Sequence, residues 1–387
     1  MKITDVQACV IGEQVPDSGG CVWTFVRIYT DEGIVGTGEC NSGGPGFSGF
    51  ATKAAIIAIK DYLIGEDPFN INLIYEKLRR MGRYGGVTKA PIIFALTGID
   101  NALYDIVGKA LNTPVYKLLG GKFRDKIRLY ADCHAGQTND PKAYGDKALE
   151  AVAEGFGAVK FDVDHTGVEP LDLHHYSVGT KEMTHIIRLI EGMRDALGYE
   201  IDLAIDCHGQ FDLPAAITLA KAVEPLRLLW LEEPVPAENI DALAQVRRSS
   251  STIICTGENQ YTRFEFLELF AKKATDVIMP DLAKAGGIAE AKRIADLADA
   301  HYIPIAPHNV SSPLGMMAAC HVMASVPNFL LLEFHGRDIP WWNDLCEGDK
   351  PFIENGFMAV SERPGIGVEL NADVAKTLLW NDDTYFD

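Results

Sequence analysis

The feature that most constrains this chain is a period. From about residue 128, short apolar runs recur, each followed by a helix-length amphipathic stretch. They cover 128–133, 158–164, 201–208, 228–234, 253–259, 276–281, 303–309 and 329–335. Apolar strands alternating with helices imply parallel βα units, because a parallel neighbour needs a crossover long enough to hold a helix. Eight such units imply a closed (β/α)8 barrel. Barrel strands are covered on both faces and so read as continuous apolar runs rather than alternating ones. Most of these runs do.

The residues ahead of the period differ. Segments 22–29 and 34–39 are apolar and β-branched around the turn Asp31-Glu32-Gly33, and 52–64 and 90–109 carry helical patterns. The expected architecture is therefore α/β. An α+β capping domain spans 1–125, the barrel spans 126–348, and a C-terminal segment, 349–387, packs back on the cap. A chain of 387 residues is long enough for both units.

Composition excludes some classes. The net charge is −19 and no basic stripe relieves it, which argues against nucleic acid. No stretch approaches the roughly 18 apolar residues of a membrane span. The start Met1-Lys2-Ile3-Thr4-Asp5 has no apolar h-region, so no signal peptide is expected. The 8 cysteines form no CxxC pair and read as reduced thiols, which places the protein in the cytoplasm. A negative chain still accepts an anionic substrate where carboxylates hold a divalent cation.

Most runs end in ionisable residues: Asp206 and His208, Glu232 and Glu233, Glu258, Asp281, His308, Glu333. Barrel active sites lie at the C-terminal strand ends, so these side chains converge on one mouth. Asp206, Glu232 and Glu258 follow one another at intervals of 26 residues. One βα unit fits that interval, so consecutive strands each deliver a carboxylate. Three hard oxygen ligands suit Mg²⁺, with Mn²⁺ the second choice and Zn²⁺ disfavoured without nitrogen or sulfur. Asp281 and His308 end adjacent strands, and a carboxylate beside imidazole fixes its tautomer and makes it a general base. His208 shares a side with Asp206 at period 2 and is a candidate second acid/base. Lys160 and Asp162 share a face, and an inward ammonium stabilises developing negative charge. Glu333 serves an enolate if it is protonated. Loops 14–23 and 41–50 are expected to select the substrate. Asp162, Trp23 and Trp341 are the candidate substrate contacts.

These residues also sit in recognisable motifs. They are Ala95-Leu96-Thr97-Gly98-Ile99-Asp100-Asn101-Ala102-Leu103-Tyr104-Asp105 with Leu118-Leu119-Gly120-Gly121, Trp230-Leu231-Glu232-Glu233-Pro234, Gly257-Glu258-Asn259, Pro280-Asp281 with Gly286-Gly287, and Pro307-His308-Asn309. Together they resemble the enolase superfamily, in its mandelate-racemase-like subgroup, over nearly the whole chain. The resemblance implies Mg²⁺ on Asp206, Glu232 and Glu258, a catalytic dyad of Asp281 and His308, and Glu333 bonded to the enediolate. Members of that superfamily use a Lys or His base with Mg²⁺.

The subgroup often carries Lys-x-Lys at the second strand. Here it is Lys160-Phe161-Asp162, which weakens a two-base racemase. Asp206-Cys207-His208-Gly209 instead resembles the Asp-x-His-Gly of sugar-acid dehydratases of the galactonate and gluconate type. It implies that His208 protonates the departing hydroxyl. The expected reaction is dehydration of an aldonate or aldarate to a 2-keto-3-deoxy acid by a homo-oligomeric enzyme. The competing readings are a racemase or epimerase of an α-substituted acid and a catalytically silent member.

Overall fold

The structure is a computed structural model that describes residues 1–13, 21–41, 46–84, 89–136, 138–164 and 177–386. Parts of the two expected selectivity loops, 14–20 and 42–45, lie outside the described residues.

The chain opens with an antiparallel sheet of β1 (Ile3–Glu13), β2 (Cys21–Thr30) and β3 (Val35–Cys40). Three helices follow, α1 (Gly46–Ile59), α2 (Ile71–Tyr84) and α3 (Ile92–Ala110), then the short α4 (Val115–Leu118). α3 lies directly on β3. A Cβ at Gly38 would stand 2.1 Å from the Gly98 carbonyl oxygen and one at Gly36 2.2 Å from that of Ala102. Only glycine lets backbones approach so closely.

The barrel then runs β4 (Lys126–Cys133), α5 (Pro141–Ala153), β5 (Ala158–Asp162), α6 (Thr180–Leu197), β6 (Asp202–Asp206), α7 (Leu213–Ala222), β7 (Trp230–Glu232), α8 (Ile240–Ser249), β8 (Ile254–Thr256), α9 (Thr262–Lys272), β9 (Val277–Ile278), α10 (Gly287–Ala300), α11 (Pro313–Ala324) and β10 (Leu332–Phe334). β4 to β9 pair in parallel in chain order, and β10 pairs with β4. Between β9 and β10 the seventh run contributes Ile305 alone, bridged to Ile278 and Phe329. Pro304 and Pro307 carry no amide hydrogen, which limits the ladder there. Even so, Ala306 donates to the Ile278 carbonyl and Leu330 to that of Ile305, so the barrel closes.

The tail adds β11 (Cys346–Glu347), β12 (Ile353–Glu354), β13 (Phe357–Ala359), β14 (Glu369–Leu370) and α12 (Ala372–Thr377). β12 and β13 form a hairpin on Asn355-Gly356, both at positive φ, and β13 adds antiparallel to β4. Beyond it the chain returns to the N-terminal sheet. Gly12 donates to the Leu378 carbonyl, and the Asp383 carboxylate accepts from the Val10 amide and the Lys53 ammonium.

The cap holds the barrel by supplying helix caps. α10 starts at a glycine pair with no capping side chain of its own. Thr97, Asp100 and Asn101 of α3 accept from the Gly286, Ala289 and Ile288 amides instead, at 3.0, 3.0 and 3.1 Å. Gly287 sits at φ +85°, where an added Cβ would stand 2.6 Å from Asp100 Oδ2. At α11, fully buried Glu39 of β3 accepts from the Ser312 amide and hydroxyl and the Gly315 amide. A carboxylate at a helix N-terminus satisfies donors that lack an intrahelical partner. Glu39→Ala leaves three buried donors without acceptors, so it is expected to cost about 3 kcal/mol or more in urea unfolding, with Glu39→Gln in between. Equal stability of all three proteins contradicts this joint.

Candidate active site

One apolar layer plugs the barrel: Tyr130, Ala158, Ala204, Trp230, Cys255, Met279, Ala306 and Leu331, one from each strand position. Two residues further on the side chains again face inward. Those positions hold Asp132, Lys160, Asp206, Glu232, Gly257, Asp281, His308 and Glu333. The fifth strand breaks the pattern. Gly257, at φ +142° and with only 2.9 Å for a Cβ before the Met279 amide, kinks the chain so that Glu258 faces in.

The centre is ionic. The Lys160 ammonium, 2% exposed, lies 2.7 Å from Glu333, 3.0 Å from Asp206 and 3.1 Å from Glu232. Those three carboxylates are 0–1% exposed. The Trp230 indole N–H donates to Glu232 Oε2 at 3.0 Å and the Asn309 amide to Glu333 Oε2 at 2.8 Å. Burial pulls the Lys160 pKa down, but Glu232, Glu333 and Asp206 outweigh it and hold it well above the ordinary lysine value. Burial and the charge of Asp206 push Glu232 up.

A second cationic group sits beside the first. His308 Nδ1 is 2.7 Å from Asp281 and Nε2 2.7 Å from Glu258, with Glu333 at 3.9 Å. Burial opposes a charge there, yet Glu258, Glu333 and Asp281 hold His308 well above the ordinary imidazole range. Half-buried Lys284 lies 3.4 Å from Asp281 and, against the cost of burial, helps keep that carboxyl low.

His208 stands across the mouth, four strand positions from His308. Its backbone takes φ +43°, and its amide donates to Asp206 Oδ1. Nδ1 is 3.1 Å from Asp164 and Nε2 3.6 Å from Asp206. Burial opposes, but Asp206, Asp164 and Asp162 together push it up to about 12. His208 also borders a cleft of about 550 Å³ walled by Gln210, Asn259 and Tyr261.

Asp162 joins through Asp206 and His208, whose ligand atoms and its own lie within 4.8 Å of one another. Burial, then the charge of Asp132, push its carboxyl up to about 8. Trp23 is placed differently from its expected role as a substrate contact. It is fully buried, and its indole N–H donates to the Val310 carbonyl, so it anchors the segment that carries His308. Trp341 packs against it edge to face at 5.4 Å. Asp132, Asp164 and His335 fall inside the apolar runs with no role expected of them, and Lys284 and His134 fall outside the runs. The inward period on the first strand, Tyr130, Asp132, His134, was the available signal.

The donor set fits a divalent cation. Asp206, Glu232 and Glu258 offer carboxylate oxygens from three consecutive strand ends, and the buried carboxylates around them outnumber the lysine and histidine that face them. Among the described residues, the carboxylate and histidine groups with ligand atoms close enough to share an ion are Asp162–Asp206–His208 and Asp132–His134–His335.

A parallel barrel whose mouth combines a carboxylate-lined cation site with carboxylate-held histidines defines an enzyme built for acid–base chemistry beside a metal. The chain belongs to the mandelate racemase / muconate lactonizing enzyme family. That family's N-terminal domain matches residues 20–120, and the enolase C-terminal domain-like family matches 143–374. Among relatives, D-xylonate dehydratase of Haloferax volcanii is 40% identical over 100% of this chain and 91% of its own. D-galactonate dehydratase of Pectobacterium atrosepticum is 35% identical over 91% of this chain and 90% of its own. The crystal structure of a mandelate racemase/muconate lactonizing enzyme-like protein from Rubrobacter xylanophilus superposes with a TM-score of 0.92 at 43% identity, covering 100% and 99% of the two chains. No described helix is long and apolar enough to cross a membrane.

Lys160→Met is expected to destabilise the chelator-treated protein by about 3–5 kcal/mol, because buried carboxylates then lack their counter-ion. Chemical denaturation measures this, and a loss under 1 kcal/mol contradicts the ionic centre described.

Proposed function

We propose that the protein dehydrates an aldonate to its 2-keto-3-deoxy acid, with D-xylonate the first candidate. The observation that carries the reading is the pair of imidazoles on opposite sides of the mouth, each against a carboxylate, with the carboxylate cluster between them. The relatives named above act on aldonates of five and six carbons, which supports the substrate class.

Asp206, Glu232 and Glu258 would hold a divalent cation, Mg²⁺ before Mn²⁺, which would supply Lewis-acid stabilisation of the negative charge that builds on the substrate carboxylate. The Lys160 ammonium lies where it shares that charge, and Glu333 faces it. A cation on Glu258 would remove the largest upward push on His308. Asp281 then fixes the tautomer, and Nε2 takes the proton from carbon 2. The C2–H electrons form the enediolate. As the C3–O bond breaks, His208 gives its proton to the leaving hydroxyl, which departs as water. The remaining enol takes up a proton at carbon 3 and gives up the proton on its 2-hydroxyl, becoming the 2-keto acid.

Asp164 orients His208 as Asp281 orients His308. Lys160 is a poor second base for epimerisation, because three carboxylates hold its proton. We also read residues 1–125 with 349–387 as the cap and 126–348 as the catalytic barrel. The 8 cysteines are buried and free, in keeping with a reducing compartment.

Purified protein with Mg²⁺, screened against a stereochemically complete set of aldonates and aldarates, is expected to yield a 2-keto acid from an aldonate. His308→Asn should lower kcat by about 10²–10⁴-fold while still binding Mg²⁺. Absence of keto acid from every acid sugar, or unchanged turnover in the variant, overturns the reading.

A further inference from the structure

Beyond Lys160 and Asp162 the mouth holds a polar cluster that the proton transfers do not use. Asp132 lies in β4, in register with Lys160; His134 follows the strand, and His335 follows β10 beside it. Asp132 and His335 are 5% and 6% exposed. Asp132 Oδ2 lies 3.7 Å from His134 Nε2 and 3.6 Å from His335 Nε2, too far for direct hydrogen bonds. The two rings meet edge to face at 5.1 Å. Among the described residues, Asp132 Oδ1, His134 Nδ1 and His335 Nδ1 are buried with no hydrogen-bond partner, His134 Nδ1 facing Asp338 at 3.8 Å. Buried polar atoms left in this state cost about 1–3 kcal/mol each, so a cluster of them implies a guest. One oxygen at hydrogen-bond distance bridges separations of this size.

We propose that Asp132, His134 and His335 form a subsite that recognises the hydroxyl groups of the sugar chain beyond carbon 3. The subsite rests on the dehydratase reading and adds to it what selects the substrate. The chemistry fits polyols. Asp132 accepts. His134, held up to about 9 by Asp132 and Asp338 against the cost of burial, donates. His335, held down to about 3 by burial and then His134, is neutral and does both. Vicinal hydroxyls need this mixture, whereas a cation needs lone pairs alone, which an imidazolium lacks. The position fits as well. Asp132 is near enough to Asp162 for its charge to raise that carboxyl, so the subsite continues from the Asp162–Asp206–His208 group. A substrate whose carboxylate lies at the ionic centre, with its 3-hydroxyl at His208, extends its tail in this direction.

The test compares kcat/KM for the aldonate found by screening with that for the acid lacking the hydroxyls beyond carbon 3. Wild-type enzyme is expected to prefer the full-length acid by about 10²-fold or more, because a site built to bond a hydroxyl rejects the analogue without it. His335→Phe should shrink that preference at least tenfold. Asp132→Asn, nearly isosteric, is the control should the phenylalanine variant fail to fold, and should do the same. Equal losses on both acids, or an undiminished preference, overturn the subsite while leaving the dehydratase reading intact. A second equivalent of Zn²⁺ bound by wild type and lost in Asp132→Asn overturns it in favour of a cation site. Wild-type protein that dehydrates neither acid removes the reading and the subsite together.

Discussion

The Lys160 ammonium and the three carboxylates around it set the terms for the rest of this molecule. Removing a charge from water costs several kcal/mol unless partners replace the solvent. Here four charged groups from four strands meet with almost no exposure. Only a closed parallel barrel brings so many strand ends to one point while the layer beneath, from Tyr130 to Leu331, keeps water out. The site is therefore polar above and sealed below. That arrangement strengthens every electrostatic interaction within it.

The capping domain extends that order to the reacting side chains. Asp281 precedes α10 and His308 precedes α11, and both helices receive their N-terminal acceptors from the cap, from α3 and from Glu39. Trp23 adds a bond to Val310, two residues past His308. The dyad is thus held by hydrogen bonds that cross between domains.

Much of the barrel was legible because covered strands must be apolar throughout and their ends must meet. The seventh strand shows the limit. Residues 303–309 read as a strand equal to the others, but two prolines leave Ile305 as its bridging residue. The central ionisable residues were legible for a related reason: they lie two positions beyond the plug layer. Glu258 was found through its spacing, although it depends on the Gly257 kink rather than on alternation. Asp132 and Asp164 lie at the ends of their runs, but neither shares the 26-residue spacing or lies in a motif that singles it out, and His134 lies just past the first run. The actual bonding of Trp23 depends on Val310, 287 residues away, and no local pattern records such a contact.

The central claim is that two histidines divide the reaction, His308 breaking the C2–H bond and His208 completing the loss of the 3-hydroxyl. It is tested most directly by incubating His208→Asn with the aldonate substrate and Mg²⁺ in deuterium oxide and following carbon 2 by NMR. The account predicts that deuterium enters at carbon 2 while keto acid formation falls by about 10²-fold or more. A variant that dehydrates at the wild-type rate, or one that loses exchange and dehydration together, contradicts the division of labour.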